Sequence, residues 1–147
     1  MKKRIMLIGP TGCGKTTLAH ALDGVDRPLR RTQEVIYGPK TIDTPGAYVE
    51  NAWMYSHLIA TAQNASHILI MVDQSRRQEV YPPGFADSFT RPVVGVITKA
   101  DLVPENEKHC VQVLERIGIA EPFFRISFPR GTGIEQLKCY LSVNQKV

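Results

Sequence analysis

Three stretches of the chain are apolar almost without interruption: residues 6–8, 68–72 and 93–97. A strand with one wet face alternates apolar and polar positions, whereas a strand covered on both faces does not, so these three read as inner strands of a parallel sheet. Together with shorter strand-like runs, the pattern predicts strands at 4–8, 34–37, 40–42, 68–72, 93–97 and 123–126. Between them the period lengthens. Helices are predicted over 14–22, stopped by Asp23-Gly24, and over 51–63, where Trp53, Tyr55, Leu58, Ile59 and Ala62 lie near one stripe. A third follows Pro104 over 105–117 and ends at Gly118, and a fourth spans 133–141 with Ile134, Leu137 and Leu141 on one face. Alternating strands and helices predict an α/β fold: a doubly wound, mostly parallel six-stranded sheet with one antiparallel strand and helices on both faces. The antiparallel strand comes from the short gap at Gly38-Pro39. At 147 residues, with no linker or repeat, a single domain is expected over 1–147.

Composition narrows the function classes. Apolar residues at 43% and charged residues at 22% are ordinary for a globular protein, and no apolar run nears the roughly 20 residues that cross a bilayer. Lys2-Lys3-Arg4 is followed by too short an apolar run for a signal peptide, so a cytoplasmic protein without a membrane partner is expected. The net charge of +4 is scattered in small clusters (Arg27 to Arg31, Arg76-Arg77), which is not a nucleic-acid footprint. Three cysteines without a C-x-x-C pair argue for reduced thiols.

Gly9-Pro10-Thr11-Gly12-Cys13-Gly14-Lys15-Thr16 follows the first strand and opens the first helix, matching G-x-x-x-x-G-K-[ST] in the setting it requires. Residues Gly9 to Gly14, with Thr17 at the helix start, are expected to wrap phosphate oxygens, using backbone N–H groups at positions that a Cβ would crowd. Lys15 supplies a charge to the β- and γ-phosphates and is the candidate catalytic cation; the Thr16 hydroxyl is a ligand for Mg²⁺. Cys13 sits where the helix N-terminus and Lys15 could lower its thiol pKa, although the preferred reading is a tolerated variable residue of the loop.

Asp43-Thr44-Pro45-Gly46 comes at the end of the third predicted strand. A carboxylate there belongs beside a phosphate-bound Mg²⁺, and Gly46 allows its N–H to approach the γ-phosphate. After the fifth strand, Thr98-Lys99-Ala100-Asp101 stands where a base could be read. A carboxylate at Asp101 accepts from guanine N1–H and N2–H₂ together, whereas adenine would leave it unpaired. The Lys99 stem can lie along the base, and Thr98 replaces an amide with a hydroxyl. Ser127, before the Gly131-Thr132-Gly133 turn, is the remaining base-side candidate.

In combination these boxes resemble the Ras-like, translation-factor-related P-loop GTPases. Further segments resemble the EutP/PduV family: Arg31-Thr32-Gln33, Thr41 to Gly46 with Tyr48 and Glu50-Asn51, Pro83-Gly84-Phe85, Arg91-Pro92-Val93 and Thr98 to Asp101. The resemblance implies a Ras-like P-loop NTPase that binds GTP or ATP with Mg²⁺. It also implies a bacterial cytoplasmic protein that works in ethanolamine or propanediol utilisation and meets a microcompartment shell or enzyme partner. Thr32 is then the candidate switch threonine, a ligand for Mg²⁺ and a catalytic candidate. The family offers two chemistries, GTPase-like hydrolysis and an acetate kinase reaction with acetate as acceptor, and a nucleotide-stabilised structural module is a third possibility. The water-orienting Gln that Ras-like enzymes carry after the glycine is here Ala47, with Tyr48, Glu50 and His57 downstream as candidates that nothing in the sequence ranks. Hydrolysis is therefore expected to be slow, or to need a partner's arginine or a displaced water-positioner. For a kinase, Arg27, Arg30, Arg31 or Arg91 would have to bind the acceptor carboxylate. Residues 74–91 cannot form one long helix because of Pro82-Pro83-Gly84. Two readings stand for them: a connection folded over the sheet, or a gating or docking loop that exposes Tyr81 and Phe85.

Overall fold

The computed structural model describes residues 3–24, 34–77 and 80–145, with side chains up to residue 142. Six strands, β1 (Arg4–Ile8), β2 (Ile36–Tyr37), β3 (Thr41–Asp43), β4 (Ala65–Asp73), β5 (Val93–Thr98) and β6 (Phe123–Arg125), form one sheet in the order β2-β3-β1-β4-β5-β6. All neighbours pair in parallel except β2 with β3. The expected architecture and its one antiparallel strand are therefore present.

The continuous apolar runs are explained by two cores, one on each face. Along β1 and β4, Met6, Ile8, Ile68, Ile70 and Val72 enter one core, and Ile5, Leu7, Leu69 and Met71 enter the other. Register keeps the sides consistent, since Leu69 pairs with Val94 and Met71 with Val96, and all four line the second core. That core is closed by α1 (Lys15–Asp23) through Leu18 and Leu22, and by α5 (Ile134–Gln145) through Leu137 and Leu141. The first is closed by α3 (Tyr55–Ala62) and α4 (Glu107–Arg116) through Leu58, Val113 and Leu114. Burying each such side chain stabilises the fold by about 1.5–3 kcal/mol, so both faces matter.

Two expectations need correction. The helix expected over 51–63 starts later, since a 3₁₀ turn over Ala52–Met54 leads into α3, and a separate short helix, α2 (Ala47–Glu50), precedes it. Only Leu58 and Ala62 of the expected stripe are buried, and Trp53 is 76% exposed. Trp53 falls in the 3₁₀ turn, and Asn51 before it has extended backbone (φ −128°, ψ 110°), so the regular helix begins only at Tyr55. The second concerns the aromatics beyond β4. Tyr81 and Phe85 are buried, not displayed. Tyr55, Tyr81 and Phe89 surround Phe85 with ring centroids 5.2–5.4 Å away. The Tyr81 hydroxyl donates to the Met71 carbonyl at 2.6 Å, and the N–H groups of Gly84 and Ala86 bond to the end of α4 at Arg116 and Ile117. This segment covers the sheet, so the exposed docking-loop reading fails.

Candidate functional site

The C-terminal ends of β1, β3, β4 and β5 lie side by side, and the turns that leave them surround a cavity of about 730 Å³. In a doubly wound sheet this edge is where ligands bind. Thr11, Gly12, Cys13, Gly14, Lys15, Thr16 and Thr17 line one side, with Gly46; Lys99, Asp101, Leu102, Phe128 and Pro129 line the other.

The glycine-rich turn has the conformation its sequence requires. Gly14 stands at φ +98° immediately before α1, a region that L side chains rarely adopt. Gly46 shows a close approach instead, because a Cβ there would stand 2.3 Å from the Thr11 nitrogen. Lys15 is only 5% exposed. Gly9 and Pro10 are buried behind the turn and do not line the cavity, with the Pro10 carbonyl accepting from Cys13 N–H at 3.2 Å. The Cys13 thiol is also packed inward, and burial pushes its pKa up despite the opposing charge of Lys15. The lowering that its position could give is therefore not realised: desolvation outweighs the nearby cation.

Asp43 ends β3, buried, and the Thr16 hydroxyl donates to its Oδ2 at 2.9 Å. A hydroxyl and a carboxylate are hard oxygen donors. Among the described residues no group of three or more His, Cys, Asp or Glu could hold a metal. That donor set fits Mg²⁺, which takes one or two protein ligands and keeps waters and phosphates for the rest, and does not fit an all-protein cage. Thr32, Arg27, Arg30 and Arg31 lie outside the described residues.

On the opposite side, Lys99 adopts φ +55°, a left-handed conformation costing roughly 1–2 kcal/mol for a residue with a Cβ. Its ammonium compensates by donating to the Gly12 carbonyl and to Asp73 Oδ2, each at 2.9 Å. The loop that carries Lys99 and Asp101 is thereby fastened to the glycine-rich turn. Asp101 is half-buried on the cavity wall. Two expected base-side residues are not on that wall. Thr98 is fully buried with its hydroxyl on the Val72 carbonyl at 3.3 Å, and Ser127 is buried with its Oγ accepting from Arg130 N–H at 3.4 Å. Both brace the loops that bear the wall. Arg91 is at the other end of the molecule: it precedes β5 and donates to the Gln63 carbonyl, six strand residues from the cavity edge.

Several participants lie outside the phosphate-side and base-side boxes. Gln74 donates from Nε2 to the Ala100 and Leu102 carbonyls at 3.1 and 2.9 Å, and receives Asn106 Nδ2 on its own carbonyl at 3.0 Å. Asp73 accepts from Ser75, Arg76 and Lys99. Arg76 also donates to the Thr11 carbonyl at 2.9 Å. Glu50 accepts from the Thr11 hydroxyl at 2.7 Å. Each is an unremarkable polar residue until the fold brings the turns together.

Comparison with known proteins bears on the family and the fold. A family model described as "Ethanolamine utilisation - propanediol utilisation" (PduV-EutP) matches residues 2–143. The chain is 37% identical over 144 residues to the propanediol utilization protein PduV of Citrobacter freundii, covering 97% of this chain and 95% of that one. It is 34% identical over 142 residues to a protein of Salmonella typhimurium named "Probable acetate kinase EutP", covering 95% and 89%. Among solved structures, the FeoB G-domain of Methanococcus jannaschii superposes with TM-score 0.68 at 24% identity over the whole of both chains. A bacterial selenocysteine-specific elongation factor superposes with TM-score 0.72 at 23% identity, covering 99% of this chain and 29% of that one. The fold is that of the P-loop GTPases.

Proposed function

The chain belongs to the PduV-EutP family, and on that premise we propose that it binds a nucleoside triphosphate with Mg²⁺ and acts in ethanolamine or propanediol utilisation. One observation carries the reading: a single cavity bears Lys15, Thr16 and Gly46 at one end and Lys99 and Asp101 at the other. A nucleotide is a polyanion joined to a flat base, and these ends match its two halves. Lys15 and the N-terminus of α1 meet the phosphates. Leu102, Phe128 and Pro129 supply apolar walls for the base, and Asp101 favours guanine over adenine.

Thr16 and Asp43 are the residues that would hold Mg²⁺, with Thr32 as the further candidate. When bound, the ion neutralises charge on the terminal phosphoryl oxygens. Ala47 is exposed and cannot itself orient water, so hydrolysis depends on another group and is expected to be slow. The family resemblance supports a bacterial cytoplasmic setting with a microcompartment shell or enzyme partner.

A second reading has its own support. A relative named a probable acetate kinase is 34% identical to this chain over 142 residues, and transfer to acetate would use the same phosphate clamp. Arg76, whose guanidinium donates to the Thr11 carbonyl beside the phosphate-binding turn, is a described cation that an acceptor carboxylate could meet.

One assay tests both. Purified protein is mixed with Mg²⁺ and GTP or ATP, and phosphate and acetyl phosphate are followed with and without acetate. The proposal expects GTP-dependent phosphate release well below about 1 s⁻¹, unchanged by acetate. Acetate-dependent acetyl phosphate supports the second reading, and failure to bind either nucleotide rejects both.

A further inference from the structure

Glu50 closes α2, and its Oε1 accepts two hydrogen bonds from Thr11, from the hydroxyl at 2.7 Å and from the backbone N–H at 3.3 Å. Thr11 lies on the cavity wall against Gly46, and its carbonyl is held from the other side by Arg76. Gly46 and Thr16 mark the terminal-phosphate end of the cavity, and the exposed Glu50 carboxylate, just outside the lining, is tied to that end through Thr11, 39 residues away in the chain. A negative group beside a polyanion opposes binding. Its presence there calls for a compensating role.

We propose that Glu50 orients the attacking water and takes its proton, a role that rests on the nucleotide-binding reading above. In this step the water oxygen forms a bond to the γ-phosphorus while one of its protons passes to Glu50. The bond from the γ-phosphorus to the β–γ bridging oxygen breaks, and that oxygen leaves with the electron pair on the diphosphate. The proton then passes from Glu50 to the released phosphate, which restores the carboxylate. Thr11 fixes the carboxylate through the two hydrogen bonds, as Ala47 cannot fix anything.

The same group selects the acceptor. Acetate at neutral pH has no proton for Glu50 to take, and its charge is repelled by the carboxylate. A neutral hydroxylic acceptor suffers neither disadvantage. The site is therefore built for water in preference to a carboxylate anion.

The test compares the full chain with Glu50→Gln, which keeps the shape and loses the basicity, and with Glu50→Ala. Binding of Mg²⁺–GTP is measured by calorimetry, folding by thermal melting, and turnover by phosphate release with and without acetate. Both variants are expected to bind GTP within about threefold of the wild type while turnover falls roughly 100-fold at unchanged KM. If Glu50→Ala melts early, Glu50→Gln carries the comparison. Turnover within twofold of wild type in a variant that binds normally overturns the role of Glu50. So does a wild type that binds GTP and releases no phosphate over a day, or that transfers to acetate faster than to water. A wild type that binds no nucleotide fails the underlying reading instead, so the two failures are distinguishable.

Discussion

A methyl group on Gly46 would stand 2.3 Å from the Thr11 backbone nitrogen and 2.4 Å from its hydroxyl. The turn after β3 and the turn after β1 thus meet backbone to backbone, with no side chain between them. Gly46 has φ −57°, a conformation open to any residue, so substitution there is purely a test of space.

Gly46→Ala is accordingly expected to push the two turns apart. Overpacking of this kind costs about 1–3 kcal/mol, and the displaced Thr11 would widen the phosphate end of the cavity. Urea denaturation is expected to show that loss, and GTP titration an affinity at least tenfold weaker. Unchanged stability and affinity would mean that the close approach is not maintained in solution.

The fastening of Lys99 predicts a pH dependence. Burial alone pushes the Asp73 carboxyl up, but hydrogen bonds from Ser75 and Lys99 outweigh it and hold its pKa below the ordinary value of 3.8. The unfolded chain then binds a proton more readily than the folded one. Asp73 therefore contributes stability that is complete above that value and is lost as pH falls through the folded one. Asp73→Asn is expected to be less stable than wild type by about 1–3 kcal/mol at pH 7, a gap that closes in acid. Burial also holds His67 below 6.5, which adds acid destabilisation to both proteins and cancels in the comparison. Paired urea melts from pH 7 to pH 3 measure the gap, and one that stays constant would contradict the account.

Asp101 predicts base discrimination. Asp101→Ala is expected to weaken GTP by the value of charged hydrogen bonds to the base, about 1.5–3 kcal/mol, and to leave ATP affinity unchanged. Competition titrations with both nucleotides measure the split. Equal losses would remove Asp101 from base reading.

Much of this was legible from local chemistry. β4 and β5 announced themselves because covered strands need apolar residues at every position, and the turn before α1 did so because its glycines and Lys15 are consecutive. What escaped depends on contacts distant in the chain. Nothing near Glu50 indicates that it will bond to Thr11, and nothing near Gln74 indicates that it will brace Ala100. Trp53 looked like part of a stripe because residue type does not mark the 3₁₀ turn over Ala52–Met54, which takes it out of the register of α3. Tyr81 and Phe85 looked exposed because prolines suggest a surface loop, but the first core needed rings to cover it, and tertiary burial decided their place. Thr98 and Ser127 were assigned to the base from motif position, yet both side chains turn inward to backbone and brace their loops. Arg91 stands just before β5, and only the direction of that strand shows that it lies at the end opposite the cavity.

The central claim is that the turn around Lys15 grips the phosphates of a nucleotide. Calorimetric titration of Mg²⁺–GTP into the wild type and Lys15→Ala tests it most directly, with thermal melting alongside to confirm folding. Saturable one-to-one binding is expected in the wild type, with affinity at least 100-fold weaker in the folded variant. Equal affinity in the two proteins, or no binding to the wild type, would contradict the account.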